Sequence, residues 1–327
     1  MTTTPMTVSR RSALAGAAAV LTIPLAAARA AGAGPTVLTG TQATYSLAVA
    51  LTAGTPIVVQ NVPADGRQLS LLKDYIQRRT DTLAATFAGA AAVVSVTNAL
   101  PSDPLYRFAR DANIRVVDID AALPWSLDKP GVALADTPKS TNAWGGTGDA
   151  AETATAPYFW LSVSNSIRMA DIIAHDLGAL FPESAAAIAK NLDTLKRSLL
   201  TLRGDYQKKL IEGTTDVVFA LTGDFVYLTN DMGLFVDGYF IKQDVRWTEA
   251  DLKALTKHLK DNAIKVVIHK WQPNDAIQNA VKAGGAKLVV LETGDPGIVV
   301  DKQLARDGLQ QILRKNLEAV YAALSAR

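Results

Sequence analysis

The sequence predicts an α/β protein of two lobes, each a mainly parallel sheet with flanking helices, joined by one long rigid helix. Three observations predict it. Short β-branched runs alternate with amphipathic segments in the first half. The same alternation resumes after residue 214. Between the two sets runs an apolar stripe of helical period that outspans a single small lobe.

Residues 1–30 stand outside this pattern. "SRRSALAGAAAVLTIPLAAARA" has Arg10-Arg11, an apolar run from Ala13 to about Ala28, and small residues at Ala28 and Ala30. That is the layout of a signal peptide cleaved near Ala30, which implies export to the periplasm. The Arg pair after Ser9 resembles the twin-arginine signal; Ala13 sits where that signal often carries Phe, so the Sec route stays open. Pro24 and the many alanines make the run a poor membrane span.

The N-terminal lobe is expected over 31–182. "TVLTG" (36–40), "PIVVQNV" (56–62), "AVVSVT" (92–97) and "IRVVDID" (114–120) are continuous apolar runs, the mark of strands buried on both faces. Helical patterns start near Gln42, Gly66 and Asp103. Residues 121–156 break the rhythm with loop composition, "TNAWGGTGDAAETATAP", and a loop that long is often functional. A helix follows at 162–180.

The linking helix is expected over 183–213. Pro182-Glu183-Ser184 starts it, Gly213 stops it, and Leu192, Leu195, Leu199, Leu202 and Tyr206 form its stripe. The C-terminal lobe, 214–327, repeats the alternation. Strands are expected at 216–221, 236–241, 264–269 and 287–292, with helices at 223–232, 248–262, 273–283 and 301–325.

The chain has 327 residues, 49% hydrophobic, enough for a large core and about two domains. It has no cysteine, which excludes disulfides, thiolate metal sites and a cysteine nucleophile. Removing 1–30 takes away three arginines and no acid, so the formal charge falls from +2 to −1. Without a basic excess or a Lys/Arg cluster interleaved with aromatics, nucleic acid is not an expected partner. No G-x-S-x-G, P-loop or H-E-x-x-H occurs, and no enzyme is expected.

Several stretches together resemble the solute-binding receptors of zinc and manganese ABC transporters. "PYFWLS" before a helix, then "FPESAAAIAKNLDTL", is similar to that family's Pro-His-x-Trp-Leu, helix, Asp-Pro, long-helix segment. "VTNALPSDPL", "GDFVYLTNDMGL" and "TEADLKALTKHLKDNAIKVVIHKWQPN" resemble further segments in the same order. The resemblance implies two lobes around a cleft, and delivery of a metal ion to a membrane permease.

It also implies three histidines and a carboxylate as metal ligands. By the family's spacing these positions hold Arg67 or Gln68, Tyr158, Thr222 and Glu292. Only the acid is kept. Zinc takes nitrogen or sulfur ligands in a tetrahedron, and one carboxylate with neutral hydroxyls is a poor cage for any divalent ion.

Each position has a plainer alternative. Tyr158 either faces the cleft or plugs it, while Trp160 is expected in the core. Arg67 and Gln68 either start a solvated helix or hold an anion there. Thr222 is well placed as a helix N-cap, with Asp224 as first-turn charge or as a replacement ligand. Glu292 is a cleft acid at a strand end or a surface acid. His269 also ends a strand; it is either a satisfied buried histidine or, with Glu292 and Asp224, a metal ligand. His258 is expected in solvent and His175 at the surface or in packing.

The expected function is therefore a periplasmic solute receptor of an ABC importer, whose ligand is a chelated metal or another small solute. One alternative is a receptor-fold adaptor that binds a protein partner. Another is a true receptor for manganese, iron or zinc with non-standard ligands.

Overall fold

The computed structural model describes residues 34–140, 155–213 and 215–326. The signal peptide expected over 1–30 and residues 141–154 of the expected loop lie outside the described residues.

β1 (Thr36–Thr39), β2 (Val58–Asn61), β3 (Ala90–Ser95) and β4 (Val117–Asp120) form a parallel sheet of order β2-β1-β3-β4. β5 (Val217–Ala220), β6 (Phe235–Tyr239), β7 (Val266–His269) and β8 (Lys287–Val290) repeat it as β6-β5-β7-β8. All eight expected strands are found. β1, β3 and β7 are almost wholly buried, whereas β2, β4, β6 and β8 at the edges are partly exposed. In each sheet the order reverses beside the first strand, and an open α/β sheet presents its crevice at such a switch point.

Gln42–Leu51 (α1) starts on a capping box at Thr41, whose Oγ1 accepts from the Thr44 amide at 3.2 Å. The helix expected from Gly66 is two, Leu69–Gln77 (α2) and Thr80–Ala88 (α3), followed by Leu105–Ala112 (α4). Val163–Leu180 (α5) and Ala185–Ile211 (α6) come next, with 182–184 as a 3-10 turn before α6. At 27 residues α6 is ~40 Å long. The C-terminal set is Val226–Met232 (α7), Glu249–Asp261 (α8), Asp275–Ala283 (α9) and Gly308–Leu324 (α10).

The helix expected over 301–325 begins late. Asp301 and Lys302 have φ of 49° and 63°, the two successive left-handed residues of a hairpin turn, and they join Val299–Val300 (β9) to Gln303–Leu304 (β10).

Residues 34–327 form one compact unit. α10 packs on α1 and α6 as well as on β8. Buried Gln42 ties the 298–305 segment to α1: its Nε2 donates to the Ala305 carbonyl at 2.8 Å and its Oε1 accepts from the Ile298 amide at 3.0 Å. Asp231 of α7 accepts from the Val163 amide at 3.0 Å and the Ser164 hydroxyl at 2.6 Å, so it caps α5 from across the chain. No described helix is long and apolar enough to cross a membrane.

Candidate functional site

The site is built where the carboxyl ends of β5, β7 and β8 meet the 157–161 segment. That segment is fixed first. Phe159 and Trp160 are fully buried. Trp160 Nε1 donates to the Thr293 carbonyl at 2.8 Å, and buried Asn165 donates to the Phe159 carbonyl at 3.0 Å. Gly294, at φ +77°, lets the loop after β8 approach the indole; a Cβ there would sit 3.2 Å from Trp160 Nε1.

Tyr158 then projects beside that loop. It is partly buried and its ring meets Trp160 edge-on at 5.7 Å. Its hydroxyl bonds the Thr293 side chain, and Asp224 and Asp295 are near enough to act on it. Burial first, then those two negative charges, push its pKa well above the ordinary tyrosine value. In this environment the side chain is a neutral phenol.

Thr222 is buried, but it does not cap α7, which begins only at Val226. Its hydroxyl instead bonds the Asp224 carboxylate. Asp224 pairs with Lys270 at 2.8 Å, and Lys270 also lies 5.1 Å from the Trp271 ring. His269 is 3% exposed and lines the same cavity of about 270 Å³ as Thr222, Asp224, Lys270 and Trp271. Desolvation pulls the His269 pKa down to about 4, so the ring is neutral. Its Nδ1 is buried with no hydrogen-bond partner among the described residues.

Thr137, on the arm of the long loop before residue 141, also lines this cavity. Tyr227 anchors that arm, its hydroxyl accepting from the Ala135 amide at 3.0 Å and donating to the Ala156 carbonyl at 3.1 Å.

Glu292 lines a second cavity of about 220 Å³, with Thr293, Asp295 and again Lys270. Its carboxylate bonds Lys315 of α10, and its backbone is clamped by buried Asn316 on both sides, at 2.9 and 2.7 Å. Arg67 and Gln68 are exposed. Arg67 pairs with Asp65 at 3.6 Å and lies over the Tyr75 ring at 5.5 Å.

The structure thus brings Tyr158, Thr222, Asp224 and His269 together, holds Glu292 in the neighbouring cavity, and leaves Arg67 and Gln68 facing solvent. His258 is not in solvent as expected: it bonds Asp237 of β6 at 2.6 Å and is 12% exposed. The Lys-rich sequence around it hides that one face of α8 packs on the sheet. His175 is exposed and stacks on Trp125 at 4.2 Å. Sequence reasoning missed Lys270, Trp271 and Asp295, although "HKW" and "ETGDPG" directly follow strand ends. A groove of about 550 Å³ between α8 and α9 runs along helix sides rather than at strand ends.

Asp295 joins the two halves of the chain. It accepts from the Leu69 amide at 2.9 Å and so caps α2, whose own N-cap, Gln68, makes no side-chain bond. Burial raises its pKa to about 6 despite that bond. Below the unfolded value near 4 both states bind the proton; between about pH 4 and 6 the folded state holds it more tightly, so stability falls as pH rises. Asp118, raised to about 6 by burial, adds to the same slope. Asp295→Asn, which keeps the acceptor, is therefore expected to remove part of this slope, ~1–2 kcal/mol, in urea denaturation at pH 4 and pH 7. An unchanged slope would show that Asp295 is not the buried acid described.

The residues present do not fit a zinc cage. Among the described residues no three His, Cys, Asp or Glu side chains gather as a metal site. Asp224 and Glu292 are already neutralised by Lys270 and Lys315. The groups around Tyr158 are a phenol, hydroxyls, two committed acids and one imidazole, a donor set for hydrogen bonding rather than for Zn²⁺.

Comparison with known proteins places this geometry. The zinc-binding lipoprotein AdcA of Streptococcus pneumoniae is 25% identical over 168 residues, which is 50% of this chain and 33% of that protein, so the match spans only about a third of the relative's length. Among solved structures, a mutant of FpvC from Pseudomonas aeruginosa superposes with a TM-score of 0.67 at 20% identity, covering 88% of this chain and 98% of that one. The Zn(II)-bound ZnuA-like domain of S. pneumoniae AdcA does so at 0.61 and 18% identity, covering 90% and 100%. These likenesses carry the two-sheet receptor fold. The ZnuA family, described as zinc-uptake complex component A, periplasmic, matches residues 78–323, well over half of the chain. The chain belongs to the ZnuA family.

Proposed function

We propose that this chain is the periplasmic solute-binding receptor of an ABC importer, and that its ligand is a small solute or a chelated metal rather than a bare zinc ion. In this reading 31–182 and 214–327 are the two lobes and 183–213 is the linking helix. The family membership supports a receptor, and the relative AdcA is a zinc-binding lipoprotein. One observation carries the departure from zinc: Asp224, the carboxylate bonded by the Thr222 hydroxyl, is paired to Lys270 at 2.8 Å. A cation entering there would have to displace a tethered ammonium.

A receptor keeps a cavity and an adaptor need not. The cavity lined by Pro157, Thr222, Asp224, His269, Lys270 and Trp271 favours the receptor, because open space of about 270 Å³ remains at these strand ends. Native mass spectrometry with elemental analysis of the exported chain, as purified, tests the proposal. An organic or chelate adduct without stoichiometric bare metal is expected. A chain with no adduct, and no stabilisation by solutes or metal chelates, would favour the adaptor.

A further inference from the structure

The pair Lys270–Asp224 is odd for a surface ion pair. Its side chains are 31% and 13% exposed, and both line one small cavity. The other charges nearby are committed. Lys242 pairs with Asp251 at 2.8 Å. Asp244 accepts from the Trp271 indole at 3.3 Å and the Asn274 amide at 3.1 Å. Among the described residues that line this cavity, Lys270 and Asp224 are the charges left with only each other.

A ligand with a single charge fits this poorly. A carboxylate taking Lys270 would strand Asp224 in a partly buried site, and an amine taking Asp224 would strand Lys270. A ligand carrying both charges opens the pair and repairs each half. Two further features mark where such a ligand would sit. His269 is 3% exposed and lines the cavity, and its Nδ1, with no hydrogen-bond partner among the described residues, would serve as an acceptor for a donor-rich group such as an ammonium. Trp271 is 44% exposed and held by Asp244, with His269 and Lys270 at 4.5 and 5.1 Å from its ring, so the indole forms an open apolar wall of the cavity. The cavity of about 270 Å³ corresponds to roughly nine waters of liquid volume, the scale of a small solute.

We infer that this cavity takes a small zwitterion of the α-amino-acid class, its carboxylate on Lys270, its ammonium on Asp224 and His269, and its side chain against Trp271. The inference rests on the receptor reading above and names its ligand as the free zwitterion.

The test uses the exported full chain in a metal chelator. The probes are the common L-amino acids, together with 3-phenylpropionate, a carboxylate without an amine, and phenethylamine, an amine without a carboxylate. At a hundredfold excess over Kd, at least one amino acid is expected to raise Tm by about 5 °C, with a change in tryptophan fluorescence, and neither half-molecule should do so. Lys270→Gln and Asp224→Asn should each weaken that amino acid at least tenfold while retaining a cooperative melt. A response to either half-molecule equal to that of the best amino acid overturns the inference, as does silence of the whole amino-acid panel. The two readings fail differently. A chain purified with no adduct and stabilised by no solute or metal chelate overturns the receptor reading, whereas a different organic adduct on an amino-acid-silent chain overturns only the zwitterion.

Discussion

Trp160→Ala is expected to cost about 3–5 kcal/mol in urea denaturation, the range for deleting a fully buried aromatic. Trp160 has no exposed surface, and it meets both Phe159 and Tyr158 edge-on, at 5.4 and 5.7 Å. Alanine would leave a cavity and would orphan the Thr293 carbonyl that the indole holds at 2.8 Å. Trp160→Phe separates the two costs: it restores most of the volume but not the donor, so ~1–3 kcal/mol should remain. Because Thr293 in turn bonds Tyr158, both variants should also loosen that tyrosine. A loss below about 1 kcal/mol for the alanine variant would mean that the 157–161 segment is not anchored as described.

Asp251→Ala is expected to cost a similar ~3–5 kcal/mol, for a different reason. Lys242 and Asp251 are 9% and 6% exposed and lie 2.8 Å apart. Removing the carboxylate leaves an ammonium buried without its counter-charge. It also strips the capping box of α8, in which Asp251 accepts from the Thr248 amide at 2.9 Å and Thr248 Oγ1 accepts from the Asp251 amide at 3.2 Å. Removing both charges together, as Lys242→Met with Asp251→Leu, should recover much of the loss, because the desolvation of the pair disappears with it. Burial raises the Asp251 pKa, but the bonds from Lys242 and Thr248 outweigh burial and hold it below the usual carboxylate value. The contribution of the pair is therefore present above about pH 4 and is lost as pH falls through the lowered value. If the double variant were as unstable as the single one, packing rather than charge would carry the effect.

The fold was largely legible because buried parallel strands are continuous apolar runs. "AVVSVT" and "IKVVIH" need no partner to be recognised, and β3 and β7 lie where those runs do. Boundaries that depend on turn geometry were less visible. Nothing in "VVDKQL" announces two left-handed residues, so a hairpin was mistaken for the start of α10. The frame of the site was legible in "APYFWL", since Pro157, Trp160 and Leu161 resemble the family's segment on either side of Tyr158. The charges that complete the site were not. Asp295 caps α2 across 226 residues, and Lys270 meets Asp224 only once β5 and β7 are adjacent strands. Pairings between strand-end loops are set by topology, and local spacing carries no signal for them. Arg67 had two readings in the sequence, a solvated helix start or an anion-holding group, and local spacing showed neither its pairing with Asp65 nor its place over the Tyr75 ring.

We propose that Tyr158, Thr222 and the Lys270–Asp224 pair stand in place of a metal-ion cage. The most direct measurement is the ratio of zinc and manganese to chain, by elemental analysis, after the exported protein is dialysed to equilibrium against micromolar Zn²⁺ or Mn²⁺. The expected ratio is well below one, and unchanged by Tyr158→Phe or Glu292→Gln. A ratio of one metal per chain, lost in either variant, would contradict the claim and restore the bare ion as the ligand.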